Sequence, residues 1–271
     1  MNRLITLAGG RNFRDLGGYA TSDGRRVRWQ KLYRSGVMSE FTDEDCVRLD
    51  TLGIRVICDL RTPRERQREA TRWTDTRTQR LHWDYDNDRV SLRRLMGGDT
   101  PSPASTKATM IRLYQVFPEE FAVPYAALFM RLAGGDVPLL FNCSAGKDRT
   151  GVAAALVLTA LGVPWDQVLA DYCLTNELVD LERIITSSHG SLGFGDDTHR
   201  FARLDPETRA PLLRAAPEYL EAAFAAIRSK YGSVDGYFDE RLGIGAAQLA
   251  AIRGQLLESS QDKACISAEQ N

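Results

Sequence analysis

Cys143 and Arg149 are separated by Ser144, Ala145, Gly146, Lys147 and Asp148, and this Cys-x5-Arg spacing is the strongest chemical signal in the chain. An apolar run at 137–141 precedes the cysteine and another at 152–161 follows, so the segment reads as strand, tight loop and helix N-terminus. Such a loop turns consecutive backbone N–H groups into one bowl at the positive end of a helix dipole, a site suited to a tetrahedral oxyanion such as phosphate. The Arg149 guanidinium adds a planar fork that can grip two oxygens. Cys143 lies in the same positive field, which favours thiolate over thiol. A thiolate facing a bound phosphoryl group is the geometry for nucleophilic cleavage of a phosphate ester. A nucleotide-binding P-loop is the competing reading of Gly-Lys before a helix. It fails because Phe141 stands where the first glycine should be, and Asp148 where the Ser or Thr should be.

Each residue of the segment has an expected part and a bland competitor. Residues 144–149 (Ser144, Ala145, Gly146, Lys147, Asp148, Arg149) supply the cradle for the phosphate, and Gly146 provides the positive φ or close approach that such a loop demands. Lys147 adds charge at the rim, where an ordinary lysine is simply solvated. A cation at a helix N-terminus is unfavourable, so an anionic partner explains Arg149 better than solvent does. Thr150 either hydrogen-bonds the departing thiolate or merely caps the helix. The leaving oxygen needs a proton, and two carboxylates compete to give it: Asp148 in the loop, with a slight edge, and Asp59 at the end of an apolar strand. Either could instead be the ion-pair partner that orients Arg149. Asp84, Asp86 and Asp88 form a third option. For Cys46, Cys58, Cys173 and Cys265 a plain core role is expected.

These residues need elements to position them. Residues 18–20, 27–30 and 32–34 read as short extended pieces, 54–60 as a buried parallel strand, and 80–83 as a further strand. Thr42 with Asp45 reads as the start of a helix to about Leu52, and Pro63 as the start of another at 64–70. Residues 96–107 are rich in Gly, Pro, Ser and Thr and predict a mobile loop. Helical periodicity spans 109–132, broken by Pro118 and Pro124. Helices are predicted at 150–161, 164–173, 176–187, 205–215, 217–231 and 245–258, with a glycine-rich break at 188–197. Parallel strands joined through helices imply an α/β fold, a three-layer α/β/α sandwich on a mostly parallel sheet, with the cysteine loop at a strand's C-terminal end. One domain over 1–258 and a polar tail at 259–271 are expected.

The bulk composition narrows the function further. The chain has 271 residues, 43% hydrophobic and 26% charged, with a formal charge of −1, so it shows no electrostatic footprint for nucleic acid or a membrane surface. No stretch approaches the ~18 apolar residues of a membrane span. The opening MNRLITLAGGRNFRD lacks the apolar core of a signal peptide. Five scattered cysteines without a Cys-x-x-Cys pair, and three scattered histidines, point to a reducing compartment without disulfides, metal or cofactor. A cytoplasmic location is expected, with secretion by a signal-less route left open.

The loop's Cys-x-x-Gly-Lys-Asp-Arg-Thr resembles that of the bacterial tyrosine/serine-type protein phosphatase family, within the cysteine-dependent protein tyrosine phosphatases. Asn12-Phe13-Arg14-Asp15-Leu16-Gly17-Gly18-Tyr19 is similar to the family's opening motif, Leu32-Tyr33-Arg34-Ser35-Gly36 to its next, and Asp59-Leu60-Arg61-Thr62 with Glu65 to its strand-end motif. Asp171-Tyr172 with Asn176-Glu177, and residues 232–237, also match. The resemblance implies a protein tyrosine phosphatase-like fold and hydrolysis of phosphotyrosine through a cysteinyl-phosphate. Phosphoserine, phosphothreonine and phosphoinositides are implied as further substrates, a breadth associated with the loop lysine. It implies the acid role for Asp148 and a helical lid at 176–215. One departure is Asn142, where most relatives carry histidine. It supports one alternative, a pseudophosphatase that binds phosphorylated partners without turnover. A further alternative, independent of Asn142, is another cysteine enzyme, a sulfurtransferase or arsenate reductase, using the same bowl.

Overall fold

The computed structural model of the protein describes residues 2–73, 75–85, 90, 92–96, 100–186 and 201–258. Five strands form one sheet in the order β1-β2-β5-β3-β4, where β1 is Arg14–Asp15, β2 Leu32–Ser35, β3 Val56–Asp59, β4 Gln79–His82 and β5 Leu139–Asn142. β1 pairs antiparallel with β2; every other pairing is parallel. β2, β5 and β3 are buried throughout, as a parallel sheet covered on both faces requires.

The pleat sorts these strands between two cores. Leu32, Val56, Cys58, Leu139 and Phe141 face the larger one, which continues through Cys143 into the helices that follow; Tyr33, Ile57 and Leu140 face the smaller one with Phe13, Met38, Phe41 and Trp73. Among the described residues the helices of four or more α-helical residues are α1 (Asp43–Asp50), α2 (Pro63–Arg68), α3 (Leu92–Met96), α4 (Pro103–Glu120), α5 (Ala122–Ala133), α6 (Arg149–Ala160), α7 (Trp165–Cys173), α8 (Thr175–Leu178), α9 (Leu181–Thr186), α10 (Pro206–Leu213), α11 (Pro217–Tyr231) and α12 (Ala246–Leu256), with a helical turn at Val234–Gly236 and a π-helical turn at Tyr237–Arg241 between the last two. Among the described residues, no helix is long and apolar enough to cross a membrane.

In-register pairing lines up Ser35, Asn142, Asp59 and His82 along the C-terminal edge of the parallel strands. The segments leaving that edge are therefore neighbours, although 35 and 142 lie far apart in sequence. The capping boxes of α1 (Thr42 with Asp45) and α2 (Thr62 with Glu65) are both formed.

Several local expectations change. The stretch expected as a loop over 96–107 gives way to a helix at Pro103, because Ser102 and Ser105 cap each other's backbone and the proline occupies the first turn, where it has no N–H to lose. Pro118 lies inside α4, and the interruption falls at Phe121 instead. The pieces expected at 18–20 and 27–30 form only isolated bridges, Ala20 with Arg26 and Val27 with Leu257. The helix expected at 176–187 is divided into α8 and α9. Cys58 is buried, whereas Cys46 and Cys173 are half-buried. The glycine-rich break at 188–197 and Cys265 lie outside the described residues.

Candidate active site

β5 delivers the chain to the sheet edge, and α6 carries it away with a first turn already buried. Between them four carbonyls are held outward. Asn142 O accepts from Leu60 N (2.8 Å), Ser144 O from Val37 N (2.9 Å) and Asp148 O from Val152 N (3.0 Å). Gly146 O accepts from Asn12 Nδ2 (2.8 Å) and Arg34 Nη2 (2.7 Å). In a trans peptide the next residue's N–H points opposite to the carbonyl. The N–H groups of Cys143, Ala145, Lys147 and Arg149 therefore turn to the loop's inner side. Gly146 has φ +68°, and a Cβ there would lie 2.6 Å from Gly36 N and 2.7 Å from the Ser35 carbonyl group, so loop backbone packs directly on the end of β2.

The Arg149 fork is aimed by Glu65. Nη1 donates to Glu65 Oε2 (2.7 Å) and to Leu60 O (3.0 Å), and Nη2 to Glu65 Oε1 (2.6 Å). Three of five N–H groups are thus committed. Glu65 Oε1 also accepts from Ser144 Oγ (2.7 Å), and Oε2 from Thr62 N (2.8 Å), so one carboxylate closes the α2 cap, fixes the arginine and holds the loop. Burial alone would raise this carboxyl. The charge of Arg149 and the hydrogen bonds from Arg149, Thr62 and Ser144 outweigh it and hold it down to about 2. Burial lowers Arg149 and the Glu65 charge more than reverses that, leaving its pKa well above the usual arginine value. Cys143 is 2% exposed, on the same buried wall as Ala145.

The two carboxylates expected to compete have different surroundings. Asp148 accepts from Tyr114 Oη (2.7 Å), whose oxygen lies 2.6 Å from Tyr172 Oη, and Lys147 Nζ is 3.4 Å away. Asp59 is held by Arg61: Nε to Oδ1 (2.9 Å) and Nη2 to Oδ2 (2.7 Å). Asn142 Nδ2 reaches Asp59 Oδ1 at 3.4 Å, while Asn142 Oδ1 is buried without a hydrogen-bond partner among the described residues. Asp84 pairs with Arg66. Asp86 and Asp88 lie outside the described residues. The Thr150 hydroxyl is buried and, among the described residues, has no hydrogen-bond partner, which leaves the first of its two expected roles geometrically open.

Lys147 differs most from its expectation. The residue is 1% exposed and its ammonium donates to Leu212 O (2.5 Å) at the end of α10, so it is not on an open rim. Burial lowers its pKa, opposed by the charges of Asp148 and Cys143. Three residues on, Ala215 is tied by both atoms of one amide, since Asn176 Nδ2 donates to its carbonyl and its N–H donates to Asn176 Oδ1. The stretch 212–215 is therefore pinned across the loop from two sides.

Sequence reasoning left the orientation of Arg149 to Asp148 or Asp59, and the structure gives it to Glu65. The available signal was the Thr-x-x-Glu capping box at 62–65, which puts the glutamate at the start of a helix that leaves the sheet edge. Tyr114 had no comparable signal; it reads as one more aromatic on an apolar helical face.

A mostly parallel sheet with a buried cysteine–arginine loop at its C-terminal edge, opening a buried helix, defines the class of cysteine-loop phosphatase folds. A sequence model of the tyrosine phosphatase family matches residues 5–258, and the chain belongs to that family. It is 38% identical over 243 residues (88% of this chain, 84% of the relative) to a Cupriavidus necator protein assigned as a tyrosine-protein phosphatase. It is 33% identical over 278 residues (93% and 98%) to the triple specificity protein phosphatase PtpB of Mycobacterium tuberculosis. A tyrosine-protein phosphatase of Nostoc commune is 26% identical over 239 residues (82% and 73%). The chain is accordingly a protein tyrosine phosphatase of a bacterial family.

Proposed function

We propose that the protein hydrolyses phosphate monoesters through a cysteinyl-phosphate on Cys143, with phosphotyrosine as the principal substrate and phosphoserine, phosphothreonine and phosphoinositides as further ones. The observation that carries this reading is the Glu65-locked Arg149 fork beside Cys143, within a loop that holds the carbonyls of Asn142, Ser144, Gly146 and Asp148 outward. The phosphoryl oxygens rest on the inward N–H groups and Arg149. Sγ attacks phosphorus in line; the S–P bond forms as the P–O bond breaks. Asp148 gives its proton to the leaving oxygen, then takes one from the water that attacks phosphorus and releases the thiolate. Asp148 is favoured over Asp59 because Arg61 engages both oxygens of Asp59, whereas Tyr114 binds only one oxygen of Asp148. Thr150 offers its hydroxyl to the departing thiolate. We take 176–215 as the lid segment, of which 176–186 and 201–215 are described, a reading supported by the bonds from Lys147 and Asn176 to 212–215. The breadth of substrate is in keeping with the triple specificity relative.

The test is steady-state phosphate release from a phosphotyrosine peptide, a phosphothreonine peptide and phosphoinositide vesicles, wild type beside Cys143→Ser. Release that disappears in the variant is expected. Release that survives it would overturn the nucleophile assignment, and phosphopeptide binding without release by the folded wild type would turn the protein into a recognition module.

A further inference from the structure

Behind the loop lies a cluster that the chemistry above does not use. Arg14 and Arg34 are both 0% exposed, and they share one carboxylate, Asp171, itself 1% exposed. Arg34 Nη1 donates to Asp171 Oδ2 (2.7 Å); Arg14 donates from Nε to Oδ1 (3.1 Å) and from Nη2 to the Asp171 carbonyl (2.8 Å). Tyr19 Oη donates to the same carboxylate (2.9 Å). Two buried cations against one anion leave a surplus positive charge, which is costly unless another anion lies near. Arg34's second nitrogen, Nη2, reaches forward to the Gly146 carbonyl at 2.7 Å.

We infer that Arg34 is a positioning residue of the phosphate cradle: it holds the Gly146 carbonyl outward, so that the Lys147 N–H faces the phosphate, and its charge is balanced by the anion that occupies the loop. The inference rests on the loop being the phosphate site. The geometry explains why an arginine is needed. One nitrogen of a planar fork must bond Asp171 on α7 while another bonds the loop, and a lysine ammonium would have to bridge both from a single point. The groups facing Arg34 are Arg14 from β1, Asp171 from α7 and Cys143 from the loop. Cys143 in turn faces Arg34 from β2, Lys147 and Arg149 from its own loop and the Tyr125 hydroxyl from α5.

The experiment compares wild type, Arg34→Met, Arg34→Lys and Tyr19→Phe as full-length proteins. It measures inhibition by vanadate and the pH dependence of Cys143 alkylation by iodoacetamide. Arg34→Met removes both anchor and charge; vanadate affinity should fall about 10- to 100-fold, less than the ~100- to 1,000-fold of losing an oxyanion donor outright because Arg34 acts through the loop, and the alkylation profile should move to higher pH. Arg34→Lys keeps the charge but not the double reach, so affinity should fall about tenfold with the alkylation profile in place. Tyr19→Phe loosens Asp171 from its other side without touching the loop and should leave vanadate affinity at the wild-type value.

Wild-type affinity in Arg34→Lys, or in a folded Arg34→Met, overturns the inference, as does an equal loss in Tyr19→Phe. If Arg34→Met does not fold, Arg34→Lys against Tyr19→Phe decides. Failure of the function itself looks different: wild type would then neither bind vanadate nor release phosphate.

Discussion

Glu65→Gln is the most informative single change, because one carboxylate serves the α2 cap, the Arg149 fork and Ser144. The substitution keeps the size and one acceptor oxygen but leaves Arg149, 7% exposed, without its counter-charge. Two estimates of the cost agree. Removing one partner of a buried pair costs ~3–5 kcal/mol. Independently, the Glu65 carboxyl is held down from 4.5 to about 2, and at ~1.4 kcal/mol per pH unit that gap is about 3 kcal/mol. The sign follows from linkage. A depressed carboxyl contributes its stability above its unfolded value, here 4.5, and loses it as pH falls through the folded value near 2. Urea unfolding of wild type and variant should therefore differ by about 3 kcal/mol at pH 7, with the difference shrinking between pH 4.5 and the lowest pH at which the wild type stays folded. In the fraction that remains folded, a misaimed fork should lower kcat on a phosphotyrosine peptide by ~100-fold or more. A difference under ~1 kcal/mol that does not vary with pH, the level of an exposed pair, would refute the reasoning, as would an unchanged kcat.

Asp148→Asn should lower kcat about 100- to 10,000-fold on phosphotyrosine peptide, and less than about tenfold on an aryl phosphate whose leaving group needs no proton. Equal losses on both would move the acid role elsewhere, with Asp59 the first place to look. Gly146→Ala places a Cβ 2.6 Å from Gly36 N at φ +68°, where neither backbone can yield cheaply. It should lose ~1–2 kcal/mol to the left-handed conformation alone and at least about tenfold in vanadate affinity, read from urea unfolding and inhibition.

What the sequence made legible was local or periodic. The strand–loop–helix around Cys143 could be read because each part has its own signature within about 25 residues. The buried strands at 54–60 and 137–141 were mostly apolar runs; the first came out shorter, as Val56–Asp59, and the second shifted to Leu139–Asn142. Long-range chemistry was not legible in the same way. The bond from Arg149 to Glu65 spans 84 residues and the one from Arg34 to Gly146 spans 112, and nothing in the spacing of either pair marks them as neighbours. Lys147 shows the limit from the other direction. Its place in the motif was plain, but its burial depends on a carbonyl at residue 212, which no local pattern could bring there.

Asn142 can now be weighed against this architecture. A histidine before the cysteine would add a group able to carry charge beneath the loop, and asparagine cannot do so. Here that side of the loop already has a cation: Arg34, brought by β2, is only half neutralised, since Asp171 serves Arg14 as well. Arg149 and Lys147 face Cys143 too, though Glu65 offsets the first and Asp148 part of the second. Asn142 is fully buried, and its amide reaches across the register to Asp59, itself clamped by Arg61. Its work is therefore to join the ends of β5 and β3, which keeps Leu60 in place to bond both Asn142 O and the Arg149 fork. The residue before the cysteine thus acts on the site through sheet-edge geometry, while Arg34 from β2 adds to the positive charge that Arg149 and Lys147 bring to the loop.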